Sequence, residues 1–262
     1  MFEVEIENGS ESYLLTDDSR FSVINIDGLT PPPVTINTSA NAGDGSFFNS
    51  AYAQPRNIVL TVVFNGDIET TRKVFYDIVP LKKIIRFVFA NKNRAVFALG
   101  YVESIDIPLF SQRQQAQVSI ICPNPWLLSY EPTYVDFTRG TNDLSCSVAY
   151  AGDVETGVIV NSLFTGAATG YTLTNETTGD TFALDYAFQS GDDLYISSLF
   201  GELEAIVLRG NNRTKITLTP YIVSGSRWIK LKQGTNRLKI TLSTGLANTP
   251  ASVSFHELYG GV

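Results

Sequence analysis

Short runs of β-forming residues, broken every few positions by Gly, Pro, Asn or Asp, fill nearly the whole chain, and this pattern points to sandwiches or barrels instead of helical or α/β architectures. The clearest run is residues 57–64. Ile58, Leu60, Val62 and Phe64 fall on one face, Asn57, Val59, Thr61 and Val63 on the other, so one face is wholly apolar and the other nearly so. That predicts a central strand covered on both sides. Residues 4–6 and 21–26 read as earlier strands, 86–90 and 95–99 as a hairpin around Asn91-Lys92-Asn93, and 101–107 and 117–122 as two more.

One segment carries a helical period instead. After Asn65-Gly66-Asp67, residues Ile68, Phe75, Ile78 and Val79 share one side of a helix, with Asp67 at the N-cap and Pro80 ending it. Before it, Thr30-Pro31-Pro32-Pro33 forces an extended passage, and residues 37–50 are rich in Gly, Ser and Asn without periodicity, which reads as a long loop. Loops of that length inside a compact domain are usually functional. Phe47 and Phe48 lie in it, and adjacent aromatics are costly to leave in water, so the loop is expected to contact a neighbouring subunit through them.

Pro123-Asn124-Pro125, then Trp126 and Pro132, interrupt regular structure and mark a domain boundary, giving domains 1–130 and 131–262. The length of 262 residues suits two ordinary cores. In the second half, runs at 157–160, 171–174, 181–184, 193–196, 205–208, 215–218 and 237–242 recur between turns such as Thr178-Gly179-Asp180, Ser190-Gly191-Asp192, Gly210-Asn211-Asn212 and Gln233-Gly234-Thr235. About eight strands without a helix predict a jelly roll or related sandwich. The fold class is therefore mainly β: an N-terminal β-sandwich with one α-helix and a C-terminal β-sandwich.

Composition narrows the function. A formal net charge of -7 and the absence of any Lys/Arg cluster argue against a dedicated nucleic-acid binder, and neither half is basic: 10 basic residues stand against 15 acidic before residue 137, and 9 against 11 after it. The first twenty residues carry Glu3, Glu5, Glu7 and Glu11 and lack the basic and apolar regions of a secretory signal. No stretch approaches the roughly 18 apolar residues of a transmembrane helix, so cytoplasmic synthesis and no membrane insertion are expected. Cys122 and Cys146 are the only cysteines and read as buried small hydrophobes more than as a disulfide.

The chemistry-bearing residues read as structural. His256 is the only histidine, and alternation across 252–258 puts it in an ordinary strand beside Ser252, Ser254 and Glu257. Asp192-Asp193 follows Ser190-Gly191 and reads as turn chemistry before it reads as a glycosidase pair, and Asp180, Asp185, Asp192 and Asp193 are too scattered for a calcium loop. Gly43-Asp44-Gly45 lacks the Lys-Ser/Thr and the helix of a phosphate loop. No catalytic, cofactor or metal residue is assigned, and the chain is expected not to be an enzyme.

Several segments resemble one family. Pro55-Arg56-Asn57-Ile58, Gly66, the helix with Arg72 and Tyr76, Gly100-Tyr101-Val102-Glu103 and Ile120-Ile121-Cys122-Pro123-Asn124-Pro125-Trp126 look like the N-terminal domain of siphophage distal tail proteins, in order. Gly157-Val158-Ile159-Val160, Ser190-Gly191-Asp192, the run Trp228-Ile229-Lys230-Leu231-Lys232-Gln233-Gly234-Thr235-Asn236 and the closing Tyr259-Gly260-Gly261-Val262 look like its galectin-like C-terminal domain. The resemblance implies a homohexameric ring at the virion tail tip, between the tail tube protein and the tail-tip hub protein. The tape measure protein and then the DNA pass through as cargo, and receptor-binding proteins attach outside. Glu3, Glu5, Glu7, Asp44 and Glu69 are candidates for an acidic channel lining, since a basic wall would hold DNA back. The galactose-binding set of galectins is missing: Trp228 sits in an apolar run and reads as core, with no His beside an Asn and Arg. A carbohydrate-binding module aiding host adsorption stands as the alternative, and a cell-wall hydrolase behind it.

Overall fold

The computed structural model describes residues 2–9, 11–111, 114–210, 212–246 and 249–262. Met1 and Ser10 of the leader reading and Asn211 of the Gly210-Asn211-Asn212 turn lie outside the described residues. The chain divides into two compact units, Met1–Tyr130 with Tyr259–Val262, and Glu131–Leu258. The closing Tyr-Gly-Gly-Val, which the sequence reading put in the second domain, is therefore part of the first unit.

The first unit runs β1 (Glu3–Asn8), β2 (Glu11–Leu14), β3 (Phe21–Asp27), β4 (Val34–Ala40), β5 (Ser46–Ala53), β6 (Arg56–Phe64), the helix α1 (Ile68–Ile78), β7 (Ile84–Ala90), β8 (Ala95–Asp106), β9 (Gln115–Cys122) and β10 (Leu127–Ser129). Its main sheet is antiparallel in the order β2-β1-β7-β8-β9-β6-β3, with β10 paired to the start of β8. As the alternation predicts, Ile58, Leu60, Val62 and Phe64 of β6 are buried on one face, and β3 and β9 flank the strand. Across from it, α1 delivers Phe75 between Phe21 and Phe64, with ring centroids 5.7 and 5.3 Å away, and Ile78 and Val79 are buried at the helix end. Asp67 does take the N-cap position in extended backbone, but its carboxylate accepts the Thr70 hydroxyl at 2.6 Å instead of a backbone amide.

Two differences from the sequence reading have physical causes. Residues 95–99 and 101–107 are one strand, because Gly100 does not break it: a Cβ there would sit 2.6 Å from Ile120 Cγ2 and 2.9 Å from Cys122 Sγ, so glycine is what lets β8 lie close to β9. The supposed loop at 37–50 is a hairpin, β4 against β5, joined by residues 41–45.

The second unit contains β11 (Thr133–Asp136), β12 (Thr138–Arg139), β13 (Leu144–Tyr150), β14 (Thr156–Gly157), β15 (Ile159–Phe164), β16 (Ala168–Asn175), β17 (Asp180–Phe188), β18 (Asp192–Leu199), β19 (Glu202–Arg209), β20 (Thr214–Thr217), a 3-10 turn (Thr219–Tyr221), β21 (Lys230–Leu231), β22 (Gly234–Thr241) and β23 (Ala251–Phe255); a short β24 (Leu258–Tyr259) spans the division. The described residues thus hold more strands than the eight anticipated. Two antiparallel sheets, β11-β23-β15-β18-β19-β20 and β12-β13-β22-β16-β17, enclose one apolar core. Within β13, Leu144, Cys146, Val148 and Tyr150 point inward in strict alternation. Phe164 and Phe188 stack at the centre, 4.1 Å between centroids, with Tyr171 edge-on to both.

Candidate interaction surface

Among the described residues the hairpin β4–β5 pairs only with itself. Opposed residues of an antiparallel pair share a face. Val34 and Ile36 oppose Ala53 and Ala51, so these four share one face, while Thr35 and Asn37 share the other with Tyr52 and Ser50. The register then shifts between Asn37 and Thr38, so that Thr38 opposes Phe48 and Ser39 opposes Phe47. This irregularity leaves Asn49 as the extra residue and turns Phe48 onto the face of Val34 and Ile36, with Phe47 on the opposite face beside Tyr52. The two phenylalanines point apart.

On the Tyr52 face the hairpin is laced by side chains: Asn37 Nδ2 donates to Ser50 Oγ at 2.9 Å, Gln54 Nε2 to Thr35 Oγ1 at 2.6 Å, and Ser39 Oγ to Asn49 Oδ1 at 3.3 Å. The other face, with Val34, Ile36, Thr38, Phe48 and two alanines, shows no such ladder among the described residues. Val34, Ile36, Phe47, Phe48 and Tyr52 are each more than half exposed. Scattered exposed apolar residues are ordinary, but this hairpin carries five within twenty residues, three on one face and two on the other, a density of the kind that marks an interaction site. The sequence reading found Phe47 and Phe48 and missed Val34, Ile36 and Tyr52, whose strand pairing it had not recognised.

The five carboxylates singled out for their charge are in three places. Glu3, Glu5 and Glu7 alternate along β1 opposite the buried Val4 and Ile6. Glu7 is held: Arg86 Nη1 lies 3.0 Å away and the Tyr130 hydroxyl donates to it at 3.3 Å. Glu5 accepts the Ser12 hydroxyl. Asp44 lies in the exposed turn of the hairpin, and Glu69 in the first turn of α1, 3.7 Å from Arg72.

The remaining residues of chemical interest are tied into structure. Asp192 is fully buried and forms a bidentate pair with Arg209, whose Nε and Nη2 donate at 2.7 and 2.6 Å; its Oδ2 also accepts the Gln189 amide, which is the turn role anticipated. Asp193 pairs with Arg213 instead. Trp228 is half-buried and stacks on Phe182 at 4.6 Å. His256 is not in a strand, because β23 ends at Phe255 and the next two residues are irregular. Cys122 and Cys146 are free and buried, and burial pushes both thiols up to about 12, in the case of Cys122 against the opposing charge of Arg56. A groove of about 430 Å³ on β18, β19 and β20 is lined by Tyr195, Ser197, Glu202, Glu204 and Thr217. Among the described residues no three His, Cys, Asp or Glu are gathered to hold a metal, and no helix is long and apolar enough to cross a membrane.

With this geometry in view, residues 151–259 match the family model described as siphovirus-type tail component, C-terminal domain. The match takes in most of the second unit. Among curated proteins none matches. Over its whole length the fold is that of the SPP1 Dit protein, described as a paradigm of the hub adsorption apparatus in phages infecting Gram-positive bacteria: TM-score 0.74 and 16% identity, covering 98% of this chain and 99% of that one. Similar chains occur in the phage P2 baseplate in its activated conformation with Ca (TM-score 0.58, 9% identity, 97% and 98% covered) and with Sr (0.56, 10%, 97% and 98%).

Proposed function

We propose that this chain is a phage tail component, a distal tail protein whose copies close into a six-membered ring at the tail tip. The ring stands between the tail tube protein and the tail-tip hub protein, passes the tape measure protein and then DNA, and carries receptor-binding proteins outside. The observation that carries the reading is the β4–β5 arm. A two-stranded hairpin alone is marginal in water, and this one leaves Val34, Ile36, Phe47, Phe48 and Tyr52 exposed. Burying such side chains stabilises by about 1.5–3 kcal/mol each, so docking onto a neighbouring copy both orders the arm and joins the copies. A closed ring needs this kind of heterologous contact, in which an arm of one subunit meets a different surface of the next.

Glu3 and Glu5, with Asp44 and Glu69, are the proposed acidic lining; Glu7 contributes less because Arg86 neutralises it. The role is structural, with no catalytic step assigned to any residue. Electron microscopy of the purified protein tests the reading: class averages should show rings with sixfold symmetry, and a field of single particles of monomer size at micromolar concentration would overturn it.

A further inference from the structure

Tyr259–Val262 are built into the first unit although all of Glu131–Leu258 comes between them and Tyr130. We infer that this return segment clamps the root of the β4–β5 arm, so that the arm is held for self-association only once the chain beyond the second unit has been made and docked. The inference rests on the ring reading above for its consequence, and on the following contacts for its mechanism.

Arg56, the first residue of β6 and 1% exposed, donates to four backbone carbonyls: Nε to Pro125 at 2.7 Å, Nη1 to Thr30 at 2.7 Å and to Gly28, and Nη2 to Gly260 at 2.6 Å. A buried guanidinium holds its charge at a cost, which these acceptors offset. Two of them belong to residues 28–33, the passage that enters β4, and Arg56 itself follows the residues that leave β5. The Gln54 amide closes the same root by donating to Pro33 O at 2.9 Å.

The return segment lies against this root. Val262 N donates to Leu29 O at 3.2 Å, and a Cβ on Gly261 would meet Leu29 O at 3.0 Å and Pro31 Cδ at 3.3 Å, so only a residue without a side chain fits there without displacement. Arg94 fastens it from the other side: Nη1 donates to Gly261 O at 3.1 Å while the guanidinium covers the Tyr259 ring at 3.9 Å. Gly28, at φ +86° with no room for a Cβ beside Asn57 O, shows how tightly the root is packed. Four residues thus supply an acceptor and a donor to the segments that carry the arm, and a carbonyl and a ring that Arg94 holds. On the ribosome they arrive after the entire second unit, so a partly made chain has its arm but not its clamp.

The test compares the full chain with three variants: one ended after Leu258, Gly261→Val, and Arg94→Ala, the last keeping every backbone atom of the segment. Hydrogen exchange by mass spectrometry and light scattering are read on each. Expected are exchange about tenfold faster in residues 28–33 and at the start of β6, unchanged exchange in β13 and β22 of the second unit, and loss of self-association in all three. Unchanged exchange at residues 28–33 would overturn the clamp, and association at the full-chain level despite faster exchange would overturn the gate. If the full chain itself does not associate, the ring reading fails, and the exchange comparison still decides the clamp.

Discussion

The two units use the same kinds of side chain in opposite ways. In the second unit Phe164, Tyr171 and Phe188 come from three strands of two facing sheets and bury one another completely. In the first, Phe47, Phe48 and Tyr52 sit on a hairpin whose strands have no other partner among the described residues, and stay exposed. An apolar strand face is core here where a second sheet covers it and stays in water where none does.

That contrast can be broken in graded ways. The largest effect is expected from Phe164→Ala, which removes half of a stacked pair at the centre of a core and should destabilise the second unit by about 3–5 kcal/mol, read as a lower urea midpoint for that unit. A loss below about 1 kcal/mol would mean the core is far looser than the stacking implies.

Alkali probes both cores next. Cys122 and Cys146 have their thiols raised by burial from 9.0 to about 12, so the unfolded chain ionises first: their contribution is intact below pH 9 and drains as pH rises toward 12. In that window each thiol should cost about 1.4 kcal/mol per pH unit, and Tyr150, raised from 10.0 to about 12, adds to the loss above pH 10. Urea midpoints at pH 8 and 10.5 measure it, and Cys122→Ala should flatten the first unit's response while leaving the second's. Equal midpoints at the two pH values would show that water reaches both thiols.

The smallest effect on folding is expected from the double substitution Phe47→Ser, Phe48→Ser. Both side chains are exposed, so the monomer's unfolding free energy should move by no more than about 0.5 kcal/mol, measured as a urea midpoint at a concentration too low for association. A loss of several kcal/mol would make the hairpin part of its own unit's core.

Legibility in the sequence followed burial. The central strand at 57–64 and the helix ending before Pro80 were readable because their apolar positions repeat with the period of the element and are in fact covered. Strand β13 carried the same signal in Leu144, Cys146, Val148 and Tyr150 and was passed over among its serines. The hairpin β4–β5 could not be read by period: both faces are exposed, Thr, Asn and Ser hold its ladder, and the irregularity at Asn49 moves Phe48 to the other face halfway along. Its aromatics in a polar run were visible all the same, although the strands that carry them were not. The closing Tyr-Gly-Gly-Val was assigned by position to the second domain, since nothing in four residues reveals that Arg56 and Arg94, far back in the chain, hold them.

The most direct test of the arm as the self-association surface is the mass of the protein in solution, by size-exclusion chromatography with light scattering, beside that of the Phe47→Ser, Phe48→Ser variant. The full chain should elute at about six times its 28.7 kDa and the variant at 28.7 kDa with native circular dichroism. A full chain at 28.7 kDa, or a variant still six times heavier, would contradict the account.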